Sequence, residues 1–157
     1  MRALLVSVLC LTSGLAAATN YRDVQRAVGD DAMLQTAGVS PADAQLRQQC
    51  SAAILETDDP PDFFDCVYVQ TDKDLNLFSL EDGYLMSELQ LKLHNMDGVA
   101  LQHMGRYSQV QIFSGDRVTA LYIHGKSWID PAATKGVYQW LTQHGVPARE
   151  PRKWIGP

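Results

Sequence analysis

Four histidines are the side chains in this sequence best suited to acid–base or metal chemistry: His94, His103, His124 and His144. His94 and His103 lie near the ends of two predicted strands joined by a turn, and His124 ends the last predicted strand, so two of them could meet at one rim of a sheet. No H-x-x-x-H or H-E-x-x-H spacing supplies two zinc ligands from one element, whereas zinc catalysis usually needs three protein ligands. We therefore expect exposed imidazoles without partners; a small hydrolase using His94, His103 and His124, with or without zinc, is the alternative.

The segment Asp72-x-Asp74-x-Asn76 has the oxygen-ligand spacing that opens a calcium-binding loop. The rest of that pattern is missing, because Leu77 stands where a sharp turn needs glycine and Gly83 stands where a bidentate acid is needed. The segment therefore predicts a polar turn between two strands, and the sequence predicts no metal site.

Candidate nucleophiles are ordinary hydroxyls such as Ser108, Ser114 and Ser127, since no G-x-S-x-G turn is present. Ser127 lies close in sequence to His124 and Asp130, but catalytic triads are assembled from separate elements that fix their geometry. Phosphate-cradling and dinucleotide-binding motifs are also absent from the sequence. These observations predict no catalytic residues and no cofactor.

The first 18 residues resemble a cleavable export signal. Arg2 precedes the apolar run from Ala3 to Leu11, and Ala16–Ala18 supply small residues in an A-x-A arrangement. The apolar run is much shorter than the roughly 20 residues that cross a bilayer as a helix. We expect an exported chain, periplasmic or extracellular, that keeps no transmembrane anchor.

The cysteines fit that compartment. The sequence has three, and removal of Cys10 with the signal leaves Cys50 and Cys66, an even number that predicts a disulfide bond in an oxidising environment. The 18 acidic residues outnumber the 13 basic ones, for a formal net charge of −5, and loss of Arg2 increases the excess. This charge disfavours nucleic acid, which is bound by neutralising its phosphates.

The chain of 157 residues predicts a single domain over residues 19–157, since domains most often hold roughly 100–150 residues. Residues 19–56 favour helix. Ser40-Pro41 is a helix start signal, with a capping serine and a proline at the first helical position. The apolar stripe that follows at helical spacing consists of Leu46, Cys50, Ala53 and Ile54.

Alternation with a period of two predicts six or seven short antiparallel strands over residues 66–124, separated by turns rich in Asp, Asn and Gly. Asp130-Pro131 repeats the helix start signal, and the apolar spacing predicts an amphipathic helix over 131–144 that ends at Gly145. The prolines of residues 146–157 predict an extended tail. The expected fold class is α+β: N-terminal helices, then a bent antiparallel sheet closed by a C-terminal amphipathic helix.

This order of elements, from about Cys66 to Gly145, resembles pleckstrin-homology-like domains, in which a bent antiparallel sheet is closed by a C-terminal helix. The resemblance implies a binding function, because members of that family bind lipids, peptides or proteins. The basic loop that phosphoinositide-binding members need is missing here, since acids outnumber Lys73 between Cys66 and Glu81.

One predicted strand has a mixed aromatic and amide face. Tyr107, Gln109 and Gln111 share one parity, and Trp154 adds an aromatic side chain in the tail. Such a face either contacts a partner protein, because aromatic side chains give large contact area at small entropy cost, or is covered by the N-terminal helices. Together with the export signal and the acidic net charge, a partner-binding face predicts a non-catalytic protein-binding module of inhibitor or immunity type. Its expected target is a basic protein. A carrier of a small apolar ligand, held between sheet and final helix, is a further alternative.

Overall fold

The computed structural model describes residues 21–56, 60–125 and 128–156. The predicted export signal and Ser127 lie outside these ranges. The described residues form three α-helices and seven strands, with one short 3₁₀ turn at Leu93–Asn95. In chain order they are α1 (Tyr21–Val28), α2 (Asp31–Thr36), β1 (Leu46–Leu55), β2 (Asp62–Gln70), β3 (Asp74–Glu81), β4 (Tyr84–Lys92), β5 (Gly98–Met104), β6 (Tyr107–Ser114), β7 (Arg117–Ile123) and α3 (Pro131–Gln143).

All seven strands belong to one antiparallel sheet with the order β4-β3-β2-β1-β7-β6-β5. The six strands β2 to β7 and helix α3 follow the predicted order, although β2 begins at Asp62, before the predicted strand region of 66–124. Tight turns join neighbouring strands, for example at Asp82 and Gly83, which both take positive φ angles of 49° and 82°. Strand β1 is the central element, because it pairs with β2 on one side and β7 on the other.

The helix predicted after Ser40 is wrong, because residues Leu46–Leu55 form strand β1. Ser40 and Pro41 instead begin a turn in which the amide of Asp43 donates to the carbonyl of Ser40 over 3.0 Å. Proline at the second position of such a turn has the same fixed φ that suits the first turn of a helix. Within residues 21–56, helix is thus confined to α1 and α2.

The two faces of the sheet have different coverings. Side chains from every strand form the main core on the inner face, and α3 packs against its β5 to β7 part and adds Val137 and Leu141 to it. On the outer face, α1 and α2 cover β2 to β4 through Val24 and Leu34. The C-terminal tail, residues 146–156, covers the outer face of β6 and β7, where Ile155 packs on small and aromatic side chains.

Cys50 and Cys66 form a disulfide bond, as predicted, and both are completely buried on the inner face. They are direct partners in the register of β1 and β2, so the bond links two neighbouring strands rather than a helix and a strand. Helix α3 begins as predicted, because the side chain of Asp130 accepts hydrogen bonds from the amides of Ala132 and Ala133. Among the described residues, none of the helices has the length and apolarity needed to span a membrane.

Candidate functional site: an aromatic strip on the outer face

A strip of the outer face lies between the part covered by α1 and α2 and the part covered by the tail. We call it the aromatic strip and define it by Ser51 on β1, Phe63 and Asp65 on β2, Trp128 in the loop before α3, and Trp154 in the tail. Phe63 is 40% exposed and Trp128 is 58% exposed, and both are among the few large apolar side chains on the surface. This strip is the candidate functional site.

A hydrogen-bonded row of three side chains runs through the strip. The hydroxyl of Ser51 donates to Oδ1 of Asp65 over 2.7 Å, and Ser51 Oγ lies 2.8 Å from Nε2 of His124. Strand pairing positions the row, because Ser51 and Asp65 are direct partners across β1 and β2. A hydroxyl has one proton, and Ser51 uses it in the hydrogen bond to the carboxylate. Nε2 of His124 must therefore be the donor in the second bond.

His124 lies almost fully buried at the inner end of this row. Burial lowers the pKa of His124 below its ordinary value, and the nearby Asp65 carboxylate raises it by a smaller amount. The rings of Tyr21 and Trp128 lie 5.9 Å and 5.7 Å from the imidazole. Its Nδ1 is buried and has no hydrogen-bond partner among the described residues. The imidazole is therefore a neutral, packed ring that connects Trp128 to Ser51.

The bond directions in the row differ from those of a serine hydrolase triad. In a serine hydrolase the imidazole accepts the serine proton, and a carboxylate on the other ring nitrogen stabilises the imidazolium. Here the Ser51 hydroxyl donates its hydrogen bond to Asp65, while Nδ1 of His124 has no hydrogen-bond partner among the described residues. A histidine N–H that donates to Oγ also withdraws electron density from the oxygen. The row fixes the position of side chains in the strip.

The expectation of exposed histidines without partners is wrong for His124, which is buried, and for both His124 and His103, which each contact a serine. The other histidines lie away from the row. His103 forms a 3.0 Å hydrogen bond with Ser108. By the alternation of side chains along β5 and β6, both residues belong to the inner face, whereas His124 lies on the outer face. His94 is exposed in the 3₁₀ turn before β5, and His144 contacts the carbonyl of Trp140 at the end of α3. No group of three or more potential metal ligands occurs within residues 21–56, 60–125 and 128–156.

The segment around Asp74 forms a closed set of hydrogen bonds at the start of β3. Its Oδ1 accepts from the side chains of Thr71 and Asn76 over 2.5 Å and 2.9 Å, and its Oδ2 accepts from Gln90 over 2.8 Å. The carboxylate therefore holds the turn between β2 and β3 and fixes β4 beside it.

The predicted docking face of Tyr107, Gln109, Gln111 and Trp154 is covered by the tail rather than by the N-terminal helices. Gln109 and Gln111 are completely buried, and Tyr107 and Trp154 are half-buried. Two side-chain amides bind the tail backbone. Gln111 accepts from the amide of Arg152 over 2.8 Å and donates to the carbonyl of Lys153 over 3.2 Å, while Gln109 contacts both backbone groups of Ile155.

Tyr122 lies beneath the tail and connects it to the strip. Its hydroxyl donates to the carbonyl of Ile155 and accepts from Gln109, and burial raises its pKa to about 12 although the bond from Gln109 acts in the opposite direction. The ring of Trp154 lies 5.4 Å from that of Tyr122, which is the register partner of Ser51 across β1 and β7. The tail thus forms one border of the aromatic strip.

The sequence reasoning missed Ser51, Phe63, Asp65 and Trp128. Ser51 was assigned to a helix, which hid its pairing with Asp65. The doublet Phe63-Phe64 carried a usable signal, because adjacent aromatic residues on a strand must point to opposite faces. Phe64 packs against the main core, and Phe63 points to the outer face.

Comparisons with known proteins give a fold but no family. No protein-family model matches the chain, and no curated protein sequence matches it. Among solved structures, the chain is similar to part of one described as "Vav1 inhibited by an allosteric inhibitor: Vav1 inhibitors block GEF activity", with a TM-score of 0.51 and 10% sequence identity. The match covers 78% of this chain and 32% of that chain. An antiparallel sheet followed by a C-terminal helix is compatible with a pleckstrin-homology-like fold.

Proposed function

We propose that this chain is an exported, non-catalytic protein-binding module of inhibitor or immunity type, and that the aromatic strip is its contact surface. The observation that carries the proposal is the exposure of Trp128 and Phe63 on both sides of the hydrogen-bonded row Asp65–Ser51–His124. Tryptophan is enriched among the residues that dominate binding energy at protein interfaces. A fixed polar row between two aromatic side chains adds directional hydrogen bonding at little entropy cost.

The proposed partner is a basic protein, such as a secreted or envelope enzyme. The formal net charge of −5 supports this, because a charged protein attracts an oppositely charged partner and raises the association rate. Asp65 places an exposed carboxylate at the centre of the strip, where it can accept from a partner's Lys or Arg.

The proposed compartment and fold family support a binding role. The buried Cys50–Cys66 bond is typical of exported proteins. Vav1 contains a pleckstrin-homology domain, and we propose the same bent-sheet arrangement for this chain. Because fold similarity alone does not give function, the proposal depends on the strip.

Affinity capture with matched variants tests the proposal. The wild-type protein, Trp128→Ala, Phe63→Ala and Tyr84→Ala are immobilised and exposed to envelope and culture extracts. Tyr84 is the control, since it is 62% exposed on β4, outside the strip. We expect one stoichiometric basic partner, released by salt, that Tyr84→Ala retains and Trp128→Ala loses. Equal recovery by Trp128→Ala and wild type would contradict the proposed surface.

A small hydrolase is the second candidate, and the 2.8 Å contact between Ser51 Oγ and His124 Nε2 is the observation that favours it. A fluorophosphonate probe distinguishes the two functions, because it labels only an activated serine. Labelling of wild type that Ser51→Ala abolishes would establish the hydrolase, and absence of labelling supports the binding module.

A further inference from the structure

A cleft of about 450 Å³ lies between the tail, the end of β1 and the residue that precedes β2. Its volume falls in the range of small-molecule binding clefts, about 300–1,000 Å³. The lining consists of Leu55, Pro61, Arg152, Lys153, Trp154, Ile155 and Gly156. Four of these seven residues have apolar or aromatic side chains, and two are basic.

The apolar lining favours a ligand body without polar groups. Leu55, Pro61 and Ile155 offer no side-chain hydrogen bond, and Trp154 offers one indole N–H donor. A peptide bound in the cleft would bring a backbone N–H and a backbone C=O with every residue. These polar groups would be removed from water without a side-chain hydrogen-bond partner in the apolar lining, which is unfavourable. An acyl chain brings no such groups.

The two basic side chains provide the complementary charge. Arg152 and Lys153 are exposed at the cleft, and neither forms an ion pair with a carboxylate in the part of the chain that the structure describes. Gln111 holds the backbone of both residues, so the segment that carries the cations is held although the tail has no regular secondary structure. The guanidinium of Arg152 also lies 5.8 Å from the centre of the Phe113 ring, a contact that leaves its N–H groups able to bind a carboxylate. Two adjacent cations without a carboxylate partner among the described residues are a local exception in a chain with a net charge of −5.

We propose that this cleft binds a fatty-acid-like ligand, with its acyl chain against Leu55, Pro61 and Ile155 and its carboxylate bound by Arg152 and Lys153. This is a ligand site additional to the protein-binding function, and it differs in place from a pocket between the sheet and α3, where buried core side chains fill the space.

Titration with two amphiphiles tests the proposal: dodecanoate, and dodecyltrimethylammonium with the same chain and the opposite head charge, each below the concentration at which it forms micelles. Calorimetry gives the affinity, and backbone amide shifts in NMR spectra give the place. We expect saturable binding of dodecanoate that shifts Leu55, Trp154 and Ile155. The cationic amphiphile should bind at least tenfold more weakly.

Charge variants complete the test. Arg152→Gln/Lys153→Gln should weaken dodecanoate binding about tenfold or more, since a hydrogen-bonded charge contributes on that order. The control Arg106→Gln/Lys135→Gln removes the same charge from exposed sites elsewhere and should leave the affinity unchanged. Absence of saturable binding, shifts confined to other regions, or equal weakening in both double variants would overturn the proposal. None of these results depends on the partner protein, so failure here leaves the proposed function standing.

Discussion

Replacement of Ser51 by alanine tests whether the polar row is structural. The hydroxyl bonds Oδ1 of Asp65 at 2.7 Å and Nε2 of His124 at 2.8 Å. Asp65 is exposed, so water replaces its lost bond, but His124 is 6% exposed and its Nδ1 already has no described partner. Ser51→Ala therefore leaves the whole imidazole without a hydrogen bond, which costs about 1–3 kcal/mol of unfolding free energy.

Urea denaturation, followed by far-ultraviolet circular dichroism, measures this loss. The control is Ser87→Ala, an exposed serine on β4 whose side chain makes no hydrogen bond within the described residues, and we expect a change within about 0.5 kcal/mol. The loss of unfolding free energy should appear as a lower urea concentration at the midpoint of unfolding, with an unchanged dependence of the free energy on urea concentration. If Ser51→Ala were as stable as Ser87→Ala, the row would contribute nothing and the interpretation of Ser51 as a structural bridge would be refuted.

Three further predictions concern stability. Because burial lowers the pKa of His124, the unfolded chain binds a proton at this histidine before the folded chain does as pH falls. The free energy of unfolding should therefore decrease on acidification through about pH 6.5. His124→Gln should reduce this pH dependence in parallel urea denaturation series, and an identical pH dependence of the two proteins would contradict the prediction. Cys50→Ala/Cys66→Ala should lower the free energy of unfolding by about 3 kcal/mol, because the disulfide bond closes a loop of sequence separation 16. An unchanged urea midpoint would count against this prediction. Ile155→Ala should lower the free energy of unfolding by about 2 kcal/mol, because it removes the buried apolar contact of the tail. The control Met104→Ala, at an exposed side chain, should not lower it. Equal urea midpoints for the two variants would show that the tail does not stabilise the fold.

Most of the sheet could be predicted from the sequence because its strands obey a simple rule. In β4, Leu89 and Leu91 are buried while Gln90 is exposed, so hydrophobicity alternates along the chain. Gly115, with a φ of 57°, turns the chain between β6 and β7. Pattern and turn chemistry agree in these segments, and the predicted strands are confirmed.

Strand β1 could not be predicted in this way because its apolar residues do not alternate and no Asp-Gly or Gly turn marks its start, as Gly115 does for β7. Ala52 faces the main core and Ala53 faces the apolar contact with the tail, so neighbouring residues are both apolar. A doubly buried strand loses its alternation, and a short apolar run then fits helical spacing equally well. The aromatic strip was missed for the same reason, since Ser51 reaches Asp65 and His124 only from a strand.

The covering of Gln109 and Gln111 was also beyond the sequence pattern. Strand parity correctly separates them from Val110 and Ile112, which pack in the main core. The identity of the covering segment depends on contacts between residues 41 to 46 positions apart, where side-chain amides bind the tail backbone. Long-range pairing of this kind leaves no local periodic signal.

Dissociation constants measured with the captured partner are the most direct test of the central claim that the aromatic strip binds a protein. Trp128→Ala should raise the dissociation constant about 30-fold, corresponding to the roughly 2 kcal/mol that defines a dominant interface residue. Tyr84→Ala, with the same kind of exposed ring outside the strip, should leave it unchanged. A Trp128→Ala protein that binds as tightly as wild type, while Tyr84→Ala binds weakly, would contradict the account.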